Sequence, residues 1–148
     1  MSADLIIPEK DLYAVLCTSL EYANSYYSML AKSINTTKPR FNNDFLYNLA
    51  IMSTEKYFVA LLARYDWNAS HHMPLAMYKE ALDFDPELPE SIKQTAIFVG
   101  KFEAICSIDG FGYRMPSHED LQEMVKGIGE LKQWVEKRKD EISYLFSK

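Results

Sequence analysis

The chain has 148 residues, 48% hydrophobic and 14% aromatic, with a formal net charge of −5. That is room for one domain, 1–148, with a real core, and the apolar share excludes a disordered chain. The acidic balance excludes a surface that attracts nucleic acid all over, although it leaves a local basic pocket open.

The opening MSADLIIPEKDL lacks the basic-then-apolar pattern of a signal peptide, and Glu55 and Lys56 interrupt the longest apolar run. The sequence therefore predicts a cytoplasmic protein with no membrane span. Cys17 and Cys106, far apart and in no metal-like spacing, read as buried thiols in a reducing compartment.

Pro8 opens the first predicted helix, in which Leu12, Val15/Leu16, Ser19, Ala23, Tyr26 and Leu30 follow helical spacing. Asn35 to Arg40 breaks it. Asn43 is the expected N-cap of a second helix over Asp44 to Arg64. Its stripe Phe45, Leu49, Met52, Val59 and Ala63 is apolar, and Leu46, Ala50, Phe58, Leu61 and Leu62 extend that character round the helix. It should be the most buried element. A shorter helix is expected from His71 to Leu82, and Asp83 to Pro89 reads as a loop. The next helix carries Ile92, Ala96, Val99, Phe102 and Cys106 and should stop at Asp109-Gly110. After the GFGYRMP loop, Ser117-His-Glu-Asp120 matches a capping box. The last helix then carries Leu121, Met124, Ile128, Leu131, Val135 and Ile142. The prediction is an all-α up-and-down bundle of four long helices plus one short helix.

Candidate chemistry is sparse. None of the three histidines has a Glu three residues before it, and adjacent His71 and His72 diverge by about 100° on a helix, so no metal site is expected. Gly127-Ile-Gly129 lies inside a helix and reads as close helix packing rather than a phosphate loop. Lys137-Arg138-Lys139, flanked by acids, reads as a solvated helix face. The outstanding feature is Glu55-Lys56 inside the most apolar helix. Burying that pair needs partners, or else its stripe faces a groove.

The run Ser53-Thr-Glu55-Lys56-Tyr-Phe-Val-Ala-Leu-Leu62 resembles the signature helix of the HEPN family, the higher-eukaryote and prokaryote nucleotide-binding domain. In that family a Thr-His-Asp-Leu segment follows, where this chain has Ser70-His71-His72-Met73. Arg114-Met115-Pro116 resembles the family's Arg-Tyr-Pro before its last helix. The resemblance spans roughly residues 8–140, with Val59 in place of the family's second lysine. It implies a nucleotide- or partner-binding helical module, a homodimer, and possible work with a small nucleotidyltransferase, with no cofactor. Glu55, Lys56, His71, His72, Tyr113 and Arg114 are the implied ligand-binding residues, with Lys56 and Arg114 meeting phosphate and Tyr113 or Trp67 stacking on a base. Tyr22, Tyr26, Tyr27 and Tyr47 are the expected interface aromatics.

Ribonucleases of the family pair an Arg with a His four to six residues later at a dimer interface. The nearest matches are Arg64 with His71, six residues between, and Arg114 with His118, three between. Neither fits the family rule well, so metal-independent cleavage of RNA stands as the alternative, and a purely structural dimer as a third reading.

Overall fold

A computed structural model of the chain describes residues 9–36, 41–106 and 115–146, with side chains over 12–36, 41–102 and 115–141. Five helices follow one another: α1 Glu9–Ile34, α2 Asn43–Arg64, α3 Pro74–Phe84, α4 Glu90–Cys106 and α5 His118–Phe146. Four are long and one is short, no strand occurs among the described residues, and the all-α expectation stands. None of the helices, among the described residues, is long and apolar enough to cross a membrane.

Side-chain contacts give the directions. Leu16 on α1 packs on Ala63 of α2, and Tyr57 of α2 donates to Asn24 of α1, so these two helices are antiparallel. Asn43 at the start of α2 bonds Pro116 before α5, and Arg64 at its end pairs with Glu141, so α2 and α5 run parallel. Ser91 of α4 reaches Glu130 of α5, and Thr95 lies against Gly127, which makes those two antiparallel. The long helices thus alternate up, down, up, down. α3 is the exception. His72 meets Glu55 and Phe84 stacks on Tyr65, so the chain leaves the bottom of α2, climbs about 13 Å alongside it, and descends again as α3.

The helix α2 touches each of the other four. Around it α1, α5, α4 and α3 form an arc in which neighbours touch, while α1 and α3 do not touch each other among the described residues. Twelve residues of α2 are buried, including Leu46, Leu49, Ala50, Phe58, Leu61, Leu62 and Ala63. This agrees with the expectation that it is the most buried element. The expected apolar stripe is only half right: Phe45 is 40% exposed and Met52 36%, because both lie on the side of α2 that the open arc leaves uncovered.

Several boundaries differ from the sequence reading. Asn42, not Asn43, caps α2: its side-chain Oδ1 accepts from Phe45 N at 2.9 Å, while Asn43 Nδ2 donates to Pro116 O at 2.8 Å. α3 begins at Pro74 rather than His71, because residues 67–72 are irregular, with Trp67, Ser70 and His71 bonded to Glu80 and His72 to Glu55. The α5 capping box is present, with Asp120 N donating to Ser117 Oγ and Ser117 N to Asp120 Oδ2. Cys17 is partly exposed rather than buried. Pro8, the expected stop at Asp109-Gly110, and the side chains of Cys106 and Ile142 lie outside the described residues.

Gly127 and Gly129 do serve packing. A methyl group at Gly127 would run into Thr95 of α4, and one at Gly129 would lie 2.7 Å from the Tyr27 hydroxyl of α1. Two residues apart, the glycines face roughly opposite sides of α5, so each admits a different neighbour.

Candidate functional site

Glu55 and Lys56 are both partly exposed and sit on the uncovered stripe of α2, one turn beyond Met52. Glu55 is turned toward the α3 side, where its Oε2 lies 3.0 Å from His72 Nδ1. The pair is open to water: the His72 side chain is 85% exposed and that of Glu55 29%. Charge can therefore stand in this helix because its stripe is never enclosed.

The next histidine has a different partner. His71 Nδ1 lies 3.2 Å from Glu80 Oε1, and the Glu80 side chain is only 8% exposed. Glu80 also accepts from Trp67 Nε1 at 2.6 Å, from Ser70 Oγ at 2.5 Å and from Ser70 N at 3.1 Å. Burial alone would raise its pKa. The donors from Ser70, Trp67 and His71 outweigh burial and lower it to about 2. One carboxylate on α3 thus ties down the whole climbing segment. With that segment fixed, Trp67 remains 44% exposed, and the His72 side chain, 85% exposed, meets Glu55.

At the bottom of the bundle a second polar cluster forms. Asp85, its side chain 2% exposed, accepts from Arg138 Nε and Nη2 and from Trp134 Nε1 at 2.9 Å. Arg138 also pairs with Glu87 and Glu141, and its guanidinium lies 4.6 Å over the Trp134 ring. Asp85 is held below the usual carboxylate range: burial raises its pKa, and Arg138, Trp134 and Tyr65 more than offset that. The same cluster pushes the Tyr65 hydroxyl up to about 12, chiefly through burial and then through Asp85. The reading of Lys137-Arg138-Lys139 as a solvated face is therefore wrong at its centre, where Arg138 is 12% exposed.

The remaining predicted residues separate. Arg64 lies over Tyr65 at 4.8 Å, pairs with Glu141 of α5 at 3.8 Å, and keeps a buried Nε with no hydrogen-bond partner among the described residues. His71, bound to Glu80 on α3, has a different partner from Arg64. His118 is exposed in the first turn of α5. Tyr113 and Arg114 lie outside the described residues. Met115 and Pro116, which follow them, sit at the start of α2, roughly 18 Å along the helix from Glu55. Among the described residues no group of His, Cys, Asp and Glu could hold a metal ion. Tyr47 is buried and donates to Val99 O at 2.6 Å, and Tyr27 reaches Val125 O at 3.3 Å, so these two serve the chain's own packing rather than an interface. Tyr22 and Tyr26, stacked 6.4 Å apart, remain on the surface.

Sequence reading missed Glu80 and Asp85. Glu80 bonds residues nine to thirteen positions away across an irregular segment, which no helical spacing announces. The signal available was indirect: Trp67 and Ser70 needed an acceptor, and Glu80 is the first glutamate after them. No protein-family model, curated protein or solved structure matches this chain.

Proposed function

We propose that this chain is a HEPN-like binding module, without catalysis of its own, that presents a nucleotide-binding surface made of Glu55, Lys56, Trp67, His71 and His72. The observation that carries this reading is the fixed climbing segment. Four groups of residues 67–71 converge on Glu80, and the result is an exposed indole and an exposed imidazole held in place on the α3 side of α2. Core packing does not require exposed groups to be positioned so firmly, whereas ligand binding gains from it. In this reading Lys56 and His72 meet phosphate, Trp67 stacks on a base, and Glu55 orients His72. Arg114 and Tyr113 are left out of this surface, because Met115 and Pro116, which follow them, sit at the start of α2, roughly 18 Å along the helix from Glu55.

Binding is favoured over ribonuclease chemistry by the partners of Arg64 and His71. A cleaving pair needs a free imidazole and a guanidinium aimed at one phosphate. Here each is tied to a carboxylate of a different helix. We further propose a cytoplasmic homodimer with Tyr22 and Tyr26 in its interface, able to pair with a nucleotidyltransferase.

The test is titration of AMP, ATP, GTP and a short single-stranded RNA, followed by tryptophan fluorescence and thermal stabilisation. At least one should bind, with Lys56→Ala and His72→Ala each weakening it by about 1–2 kcal/mol at unchanged stability. No stabilisation by any of them defeats the proposal. Metal-free RNA cleavage that vanishes in Arg64→Ala would replace it with the ribonuclease reading. Light scattering tests the dimer, and Tyr22→Asp should shift it to 17.1 kDa particles.

A further inference from the structure

We propose that a cleft between the start of α3 and the upper half of α4 docks an acidic segment of a partner protein, which inserts one bulky aliphatic or aromatic side chain. The site stands apart from the nucleotide reading and does not depend on it.

The cleft follows from helix length. α3 has 11 residues against 17 in α4, so beyond Pro74 the face of α4 has no α3 to cover it. The space left is about 260 Å³, lined by Met73, Pro74 and Leu75 at the start of α3 and by Ile97, Gly100 and Lys101 of α4. That is small for a cofactor and suits one anchoring side chain. Met73 is 46% exposed and Ile97 38%, two large apolar groups left at one rim. Adaptable methionine suits a surface that accepts a partner.

Gly100 supports the same conclusion. Unlike Gly127, it is not demanded by helix packing: an added Cβ would meet the Pro74 ring at 3.7 Å, an ordinary contact. Glycine inside a helix costs about 1 kcal/mol relative to alanine. What the missing side chain does here is keep the cleft open.

The charge at the rim sets the partner's chemistry. Lys101 is the charged residue among those described that line the cleft, and Lys93 stands about two turns below it on α4, outside the lining. The Lys101 ammonium rests 4.9 Å from the Phe98 ring centre and 5.4 Å from that of Phe102, exposed, in a chain whose net charge is −5. The start of α3 adds to this: its first turn has no acidic residue, and Met73 supplies no side-chain cap. An apolar anchor flanked by carboxylates complements each of these features.

The experiment uses the full chain, labelled with ¹⁵N, and three capped peptides: leucine flanked by glutamates, leucine flanked by lysines, and glycine flanked by glutamates. The glutamate–leucine peptide should move the amides of Met73, Leu75, Ile97 and Gly100, and the other two should not. Gly100→Leu should abolish those shifts. Lys101→Glu, a surface change that leaves the core untouched, should weaken the glutamate–leucine peptide by roughly tenfold and favour the lysine–leucine one. Shifts that are the same for all three peptides, that fall elsewhere, or that ignore Lys101→Glu would overturn the proposal.

Discussion

Asp85, in the turn after α3, and Arg138, near the end of α5, form a two-point ion pair. Arg138 Nε meets Oδ2 at 3.0 Å and Nη2 meets Oδ1 at 3.2 Å. With Asp85 almost fully enclosed, breaking one side leaves a buried charge without its partner. Asp85→Ala should therefore cost about 3 kcal/mol in denaturant unfolding. The double variant Asp85→Ala with Arg138→Met should recover part of that loss, because a matched apolar pair leaves nothing unpaired.

Acid should weaken the fold through Glu80. Its folded-state pKa is lowered from 4.5 to about 2, and Asp85 is lowered as well. A depressed carboxyl contributes its full stability above the unfolded value and loses it as pH falls through the folded one. Unfolding free energy should then drop between roughly pH 5 and pH 2, by about 2 kcal/mol for Glu80 after allowing for the solvent reaching its donors. Glu80→Gln should flatten that part of the pH profile, measured by thermal unfolding across the range.

Asp66 is the one non-glycine residue with positive φ among those described, at 59°. Its N–H bonds Ala63 O, and Trp67 N–H bonds Leu62 O, the two bonds of a Schellman ending for α2. A carboxylate there also faces the negative end of the helix dipole. Asp66→Gly should raise stability by about 1 kcal/mol with the climbing segment unchanged, read by thermal melting.

Gly127→Ala should be costly, since the new methyl meets the stiff, branched Thr95 with its Cγ2 at 2.8 Å. A loss of about 2–3 kcal/mol is expected. Thr95→Ala in the same chain should restore part of it, measured as the coupling in a double-mutant cycle.

Much of the fold was legible in the spacing of apolar residues. Leu121, Met124, Ile128, Leu131 and Val135 are buried as a helical stripe predicts, and so are Ile92, Ala96, Val99 and Phe102. Periodicity does not say which side of an all-apolar helix lacks a neighbour, so the exposure of Phe45 and Met52 was hidden. The candidate site was legible in part. Glu55 and His72 were named, but spacing could not join residues 17 apart across an irregular segment. Asp85 sits in an acidic, proline-punctuated run that reads as a solvated turn, and Arg138 sits between two lysines. A tertiary contact encloses Asp85 fully and Arg138 for the most part, and local sequence carries no trace of that contact.

The rings of Tyr65 and Phe84 stack 6.1 Å apart, so the detour through α3 begins and ends at one place. Everything between them is a side branch closed at its neck, and the four long helices stay connected in order if it swings away. Glu80 ties the branch to itself, His72 ties it to Glu55 of α2, and Met77, Tyr78 and Ala81 of α3 belong to the same continuous core as the four long helices. Swinging the branch away would therefore expose Met77, Tyr78 and Ala81, so the amide protons of α3 should exchange with solvent no faster than those of the long helices.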